Sequence, residues 1–184
     1  MLPTNPHIDT LITRCKSGDQ SAQLEVYNRY YKAMYNTSFR IVKNSFEAED
    51  IMQESFLKAF TKLETLKDIK TFGAWLKRIV VNNSIQHFNK NHTYEDVPFD
   101  TVMYKVEDTT VDLNQDNDAK AQAKQVMQTM NTLKDNYRIA LTLHLIEGYD
   151  YEEMSSIMNV SYANCRTTVS RAKESLRQKL QQVV

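Results

Sequence analysis

From Gly148 to Leu180 the chain carries two helix patterns that meet at a tight corner, and the residues around the corner are capping residues. Asp150 is a helix N-cap, Glu153 three residues later completes a capping box, and Met154, Ile157 and Met158 supply an apolar stripe. Asn159 tolerates the left-handed conformation that ends a helix, Val160 plugs the corner, and Ser161 caps the next helix. That second helix carries Arg166, Arg171, Lys173, Arg177 and Lys179 against a single acid, Glu174. Its apolar residues Cys165, Val169, Ala172, Leu176 and Leu180 recur every three or four positions, so one face packs inward and the other presents cations and small hydroxyls. The pattern is a helix-turn-helix with a basic second helix. Such a helix fits a major groove, where Arg reads guanine edges and Ser or Thr touches bases or phosphates. An ordinary helical hairpin with a solvated charged face meets the same pattern, so the segment needs the rest of the chain to decide it.

The rest of the chain is also built for helix. Its 184 residues include three Gly and three Pro, while Leu, Lys, Gln, Met, Ala and Glu are frequent, which predicts an all-α protein of one large or two small domains. No apolar run approaches the roughly 20 residues that span a bilayer, and Met1 to Thr10 lacks a basic segment followed by an apolar core. The expectation is a cytoplasmic protein without membrane insertion. Cys15 and Cys165 lie far apart with no CxxC partner, which favours buried free thiols over a disulfide or a zinc site. The four histidines have no metal-binding spacing, so neither metal nor cofactor is expected.

The formal net charge of zero hides three unlike segments. Residues 1–90 hold 13 cations against 9 acids, residues 91–118 hold one Lys against 8 acids, and residues 119–184 hold 9 cations against 6 acids. The middle segment has no sustained apolar period and contains Pro98, so it reads as a flexible acidic linker between two small helical domains, 1–92 and 119–184, with the linker at 93–118. A spacer that only keeps the domains apart is the plainer reading of it.

In the first domain, Ala22 to Val42 reads as a long helix with Leu24, Tyr27, Tyr31, Met34, Tyr35 and Ser38 near one face. Asn44 and Glu47 read as a second capping box, opening the helix FEAEDIMQESFLKAFTKL. Ile51, Met52, Ser55, Phe56, Ala59, Phe60 and Leu63 form its buried side. Opposite them, Glu47, Asp50, Gln53, Glu54 and Leu57 form an acidic and amide stripe around an exposed leucine. Stripes of this kind are usually solvent faces, but an exposed apolar residue inside one, on an otherwise basic domain, suits a protein partner. After a polar loop, Thr65 to Thr71, the string TFGAWLKRIVVNNSIQHFNKN gives a third helix. Phe72, Trp75, Leu76, Ile79, Val80, Ile85 and Phe88 make its apolar pattern, while Lys70, Lys77, Arg78, Asn82, Asn83, Gln86, His87 and Lys90 fill the other positions. Cations that track a backbone beside amides that bond an unstacked base form a single-strand DNA platform. Phe72 and Trp75, at helical spacing, are core positions first.

The ordered set of EAEDIMQESFLKAF, TFGAWLKRIVVN, an acidic linker and YEEMSSIMNVSYANCRTTVSRAKESL closely resembles the extracytoplasmic-function sigma factors of bacterial RNA polymerase, the short members of the sigma-70 family. The resemblance covers nearly the whole chain. It implies a promoter-melting domain (sigma region two) at 1–92 and a C-terminal helix-turn-helix domain (sigma region four) at 119–184, with bacterial core RNA polymerase and promoter DNA, duplex and single-stranded, as partners. By the same resemblance, Glu47, Asp50, Gln53, Glu54 and Leu57 would dock on the polymerase's largest subunit. The loop Leu66, Lys67, Asp68, Ile69, Lys70 and Thr71 would form with Asn82 a pocket for a base flipped from the minus-ten element, and Lys77 and Arg78 would hold nearby phosphates. His144, Arg166, Thr167, Ser170 and Arg171 would face the minus-thirty-five element, and the acidic linker would thread the polymerase's active-site and RNA-exit channels. Many members have an anti-sigma factor as partner, though no residue of this sequence identifies one. The sequence departs from the family pattern at Asn159, where a turn glycine is usual, at Ala163-Asn164, where Gly-Thr is usual, and at His144, where a basic phosphate contact is common.

No nucleophile with an adjacent base, phosphate-binding glycine loop or metal motif is present, so no enzyme is implied. The alternative is a stand-alone helix-turn-helix regulator, which binds duplex DNA without polymerase, usually as a dimer on two half-sites. Residues 1–90 contain nothing like a ligand-binding or receiver domain, which weighs against it. A helical adaptor that binds only proteins would call for internal repeats, and none is found.

Overall fold

The described residues of this computed structural model, 7–93 and 117–182, contain helices and no strand. In chain order they are α1 (Ile8–Lys16), α2 (Gln20–Val42), α3 (Ser45–Thr61), two single-turn 3₁₀ helices (Leu63–Thr65 and Ile69–Thr71), α4 (Phe72–Thr93), α5 (Asn117–Met130), α6 (Asp135–Leu141), a π-helical turn (Thr142–Ile146), α7 (Tyr151–Met158) and α8 (Tyr162–Gln181). They form two compact units, Met1–Asn91 and His92–Val184. The acidic linker expected at 93–118 lies almost wholly in 94–116, outside the described residues.

In the first unit α1 packs on α2 and α2 on α3, with both 3₁₀ turns against α1. Leu11 and Ile12 of α1, Val26 and Met34 of α2, Met52 and Phe56 of α3, and Phe72, Leu76 and Val80 of α4 meet in one core. Each large apolar side chain so buried contributes on the order of 2 kcal/mol. Aromatic contacts fix the packing: Tyr27 meets Phe56 at 4.9 Å between ring centroids, and Tyr30 meets Phe72 edge-on at 5.4 Å. At the start of α4, Gly73 lies close to α2: an added Cβ would come 3.1 Å from the Tyr30 ring, which would have to shift by a few tenths of an ångström.

The face expected along α2 is rotated. Its buried line is Ala22, Val26, Met34, Thr37, Ser38 and Ile41, while Leu24 and Tyr31 are exposed. Of the expected face, Met34 and Ser38 are buried and Tyr27 and Tyr35 pack against the core; the buried line is displaced from Leu24 and Tyr31 towards Ala22, Val26, Thr37 and Ile41. On α3 the expected buried residues hold, with Ile51, Met52, Ser55, Phe56 and Ala59 all inside.

In the second unit α5, α6 and α7 each pack on α8. Met154 of α7 is fully buried, and Cys165, Val169, Ala172 and Leu176 of α8 are buried as well. The capping chemistry is as the sequence predicts: Asp150 Oδ1 accepts from Glu153 N at 2.8 Å, and Glu153 Oε2 accepts from Asp150 N at 3.2 Å. Asn159 ends α7 at φ 54°, ψ 47°, and Ser161 caps α8 by accepting from Asn164 N. Gly148 turns the chain into α7 at φ 80°, a conformation that side-chain-bearing residues resist. Arg138, buried in α6, is bridged to Asp135 at 2.7 Å, as a buried cation must be.

Candidate functional site

Three surfaces collect the residues singled out from the sequence. On α3, Asp50, Gln53, Glu54 and Leu57 are exposed on one side of the helix. Leu57 is 69% exposed although apolar, and Phe46, which the sequence reading passed over, is 80% exposed. Positions 46, 50, 53 and 57 follow the i, i+4, i+7, i+11 spacing of a single helix face, and that spacing was the available signal for Phe46. Gln53 donates to Glu49 at 3.2 Å. Glu47 behaves differently from its neighbours. Asn44 caps α3 by accepting from Phe46 N and Glu47 N, but the Glu47 carboxylate does not complete the expected box. It reaches α4 instead, with Asn91 Nδ2 at 3.4 Å and His87 Nε2 at 3.7 Å. The acidic ridge therefore comprises Asp50, Glu54 and Gln53 around two exposed apolar side chains, and Glu47 stands at its inner edge.

The second surface joins the loop 66–71 to α4. Leu66, expected among the DNA-facing residues, is only 5% exposed and belongs to the core, and Ile69 is packed against that core. These two apolar residues anchor the loop and leave Lys67, Asp68, Lys70 and Thr71 exposed. Asp68 fixes the turn, its Oδ1 accepting from Lys70 N at 3.0 Å and its backbone carbonyl accepting from Thr71 Oγ1 at 2.8 Å. Along α4, Trp75, Arg78 and Asn82 fall on one face, while Lys77 lies about 100° round the helix from Arg78. The two adjacent asparagines divide cleanly. Asn83 donates to buried Ser55 at 2.8 Å and accepts from Lys58 at 3.0 Å, both on α3. Among the described residues nothing hydrogen-bonds the half-buried Asn82 amide, which keeps a donor and an acceptor for a ligand.

The third surface is the helix-turn-helix. Arg166, Thr167, Ser170 and Arg171 line a shallow groove of about 520 Å³ along the exposed side of α8, together with Tyr162 and Ala163. His144 is not part of that lining. It sits half-buried in the π turn, where Nδ1 donates to the Tyr149 carbonyl at 3.1 Å and the ring stacks on Tyr151 at 4.9 Å. Two of the α8 cations are engaged within the protein: Arg177 pairs with Glu174, and Lys179 holds the turn after α5 through Thr132 O at 3.0 Å. Arg166 and Arg171 are the exposed cations at the groove.

Neither thiol belongs to these surfaces. Burial pushes the Cys15 thiol up to about 11, against an ordinary 9.0, and raises Cys165 as well. No group of His, Cys, Asp and Glu among the described residues could hold a metal ion, and no described helix is long and apolar enough to cross a membrane.

Residues 26–93, which include α3, the loop and α4, match the family described as Sigma-70 region 2, and residues 123–176, which include the helix-turn-helix, match Sigma-70, region 4. The chain belongs to the sigma-70 family. Within it the extracytoplasmic-function (ECF) group is marked by ECF RNA polymerase sigma factor SigM of Bacillus subtilis, 30% identical with 83% of this chain and 91% of that protein covered. ECF RNA polymerase sigma factor SigW of the same organism is 28% identical, over 92% of this chain and 94% of the relative. The solved structure of the sigma factor RpoE in complex with the anti-sigma factor NepR, from Bartonella quintana, shares the fold at a TM-score of 0.56 and 20% identity, covering 85% of this chain and 95% of that one. This ECF sigma factor directs transcription initiation to particular promoters.

Proposed function

We propose how the work of this sigma factor is divided among its residues. Residues 1–92 act as the core-binding and promoter-melting domain, 93–118 as the acidic linker through the polymerase channels, and 119–184 as the duplex-reading domain. Bacterial core RNA polymerase docks on the α3 ridge, with Leu57 in the middle of the contact, Asp50, Gln53 and Glu54 around it, and Glu47 at its edge. A base flipped from the minus-ten element enters against Asn82 and the loop's Lys67, Asp68, Lys70 and Thr71, which Leu66 and Ile69 hold from below. Lys77 and Arg78 neutralise the adjoining phosphates. Arg166, Thr167, Ser170 and Arg171 read the minus-thirty-five element in the major groove, and His144 stands beside the DNA backbone. Phosphodiester chemistry stays with the polymerase, and the protein acts in the cytoplasm. Its further partner is an anti-sigma factor, as for the Bartonella relative.

One observation carries this division. The first unit shows an acidic and apolar face on α3 and a cationic, amide and aromatic face on α4, and Asn83 ties the two helices together. A protein partner and a nucleic acid can thus be held at once on opposite chemistries. The test adds purified protein to bacterial core polymerase with genomic promoter fragments. Promoter-dependent transcripts are expected, and Asp50→Lys with Glu54→Lys should abolish both transcription and copurification with core while leaving helical content intact. Copurification unchanged by the double reversal would remove the docking assignment. Tight, sequence-specific binding of a dimer to duplex DNA without polymerase would favour the stand-alone regulator.

A further inference from the structure

Tyr162 is the first residue of α8 and is 49% exposed, a large aromatic at the leading end of the groove-lining helix. It lines the same groove as Arg166, Thr167, Ser170 and Arg171, one helical turn before Arg166. Its ring is held from behind by a continuous aromatic ladder. Tyr151 meets Tyr162 edge-on at 6.0 Å and 88°, His144 stacks on Tyr151 at 4.9 Å and 18°, and His144 is fixed by its bond to the Tyr149 carbonyl. An aromatic ring restrained in this way loses little rotamer freedom on binding. In a helix-turn-helix the N-terminal residues of the second helix approach the base edges most closely. The apolar feature that a major groove offers there is the thymine 5-methyl group.

We propose that Tyr162 is a specificity-determining residue that seats its ring against the 5-methyl group of a thymine in the minus-thirty-five element, with Tyr151 and His144 as the buttress that aims it. This rests on the reading that α8 enters the major groove. The contact adds an apolar selection for one thymine at the end of the element read by the start of α8, beside the polar selection made by Arg166 and Arg171. Tyr162 is 49% exposed and outside the buried core, so its replacement should leave the fold in place, as a thermal melt would verify.

The experiment uses holoenzyme assembled from this protein and core polymerase. A minus-thirty-five element is first selected from a duplex library randomised at that site, and each thymine in it is then replaced singly by deoxyuridine, which lacks only the methyl group. For the unaltered protein, one replacement should weaken closed-complex formation on the order of fourfold, the worth of one buried methyl. Tyr162→Phe should keep that sensitivity. Tyr162→Ala should weaken binding to the thymine element and lose the sensitivity altogether, while Arg166→Ala keeps it at a lower overall affinity. The proposal is overturned if no deoxyuridine position depends on Tyr162, or if Tyr162→Ala weakens all sequences equally with a change in salt dependence, which is the behaviour of a phosphate contact. If Arg166→Ala as well as Tyr162→Ala leaves binding unchanged, the groove reading of α8 fails instead.

Discussion

The helices α4 and α8, one in each unit, are attached to their neighbours by different chemistry. α8 lies on a stripe of Cys165, Val169, Ala172 and Leu176, all buried, with Lys179 as a polar tie at its far end. α4 also has an apolar stripe, with Phe72, Leu76, Val80, Val81 and Ile85 inside, but from Asn83 onward polar contacts to α3 and α2 are added to it. Asn83 bonds Ser55 and Lys58, Ser84 lies 3.0 Å from the Ser38 hydroxyl, and His87 and Asn91 approach Glu47. Several of those contacts end on α3, the proposed polymerase-docking helix. Of the two helices proposed to read DNA, α8 is held by an apolar stripe with one polar tie, and α4 by an apolar stripe together with a run of polar contacts to α3 and α2.

The largest expected effect breaks the apolar side of the comparison. Met154→Ala empties the centre of the helix-turn-helix, where Met154 has no exposure, and should destabilise the second unit by about 2 to 5 kcal/mol. Thermal melting should show that loss while the first unit melts as before. A smaller effect tests the polar contacts: Asn83→Ala removes one hydrogen bond to Ser55, which keeps its bond to the Ile51 carbonyl, and one to exposed Lys58, for about 1 to 2 kcal/mol, here in the first unit alone. A Met154→Ala, Asn83→Ala pair should give additive losses, since the residues share no partner. Smaller again, Asp150→Ala removes the α7 cap for about 1 kcal/mol, lowering the melting point of the second unit only.

The two thiols sharpen the same comparison, because one lies in each unit. With its pKa raised from 9.0 to about 11, Cys15 has roughly a hundredfold less thiolate near neutral pH than an ordinary cysteine. Since the folded value lies above the ordinary one, this protonated thiol favours the folded state below pH 9 and the contribution fades as pH rises towards 11. Both cysteines should therefore resist alkylation at neutral pH in the native protein. In Met154→Ala, alkylation under mild denaturant should reach Cys165 before Cys15, as mass spectrometry of the labelled peptides can show.

The second unit's helix-turn-helix was the more legible in sequence, because capping is local: Asp150, Glu153, Asn159 and Ser161 act on backbone groups within three residues or so, and each does in the structure what its type and spacing predict. Features that depend on a distant partner were not legible. Glu47 sits correctly for a capping box, yet His87 and Asn91, 40 and 44 positions away in sequence, draw its carboxylate to α4. Leu66 read as part of a polar loop and is core, because α1, whose helix the sequence reading did not single out, packs on the adjoining turn. The displacement of the α2 face has the same origin, since Leu24 and Tyr31 are apolar enough to bury but neighbouring elements cover the line Ala22, Val26, Met34, Thr37, Ser38 and Ile41 instead. Of the site residues that the family resemblance gave, the four on α8 line one groove, whereas His144 lies outside it, bonded to the Tyr149 carbonyl.

The division between α4 and α8 is tested most directly by following closed-complex formation and strand opening separately in the holoenzyme, with a gel shift beside permanganate footprinting of unpaired thymines. Asn82→Ala should leave the closed complex unchanged and lower opening, because its amide meets a base only after that base leaves the stack. A pre-melted bubble should restore only the part of the loss due to strand separation. Arg166→Ala with Arg171→Ala should weaken the closed complex, each lost guanine contact being worth about 1 to 3 kcal/mol, and should leave the opening of complexes that do form unaffected. Normal opening with Asn82→Ala, or an opening defect alone in the arginine pair, would contradict the account.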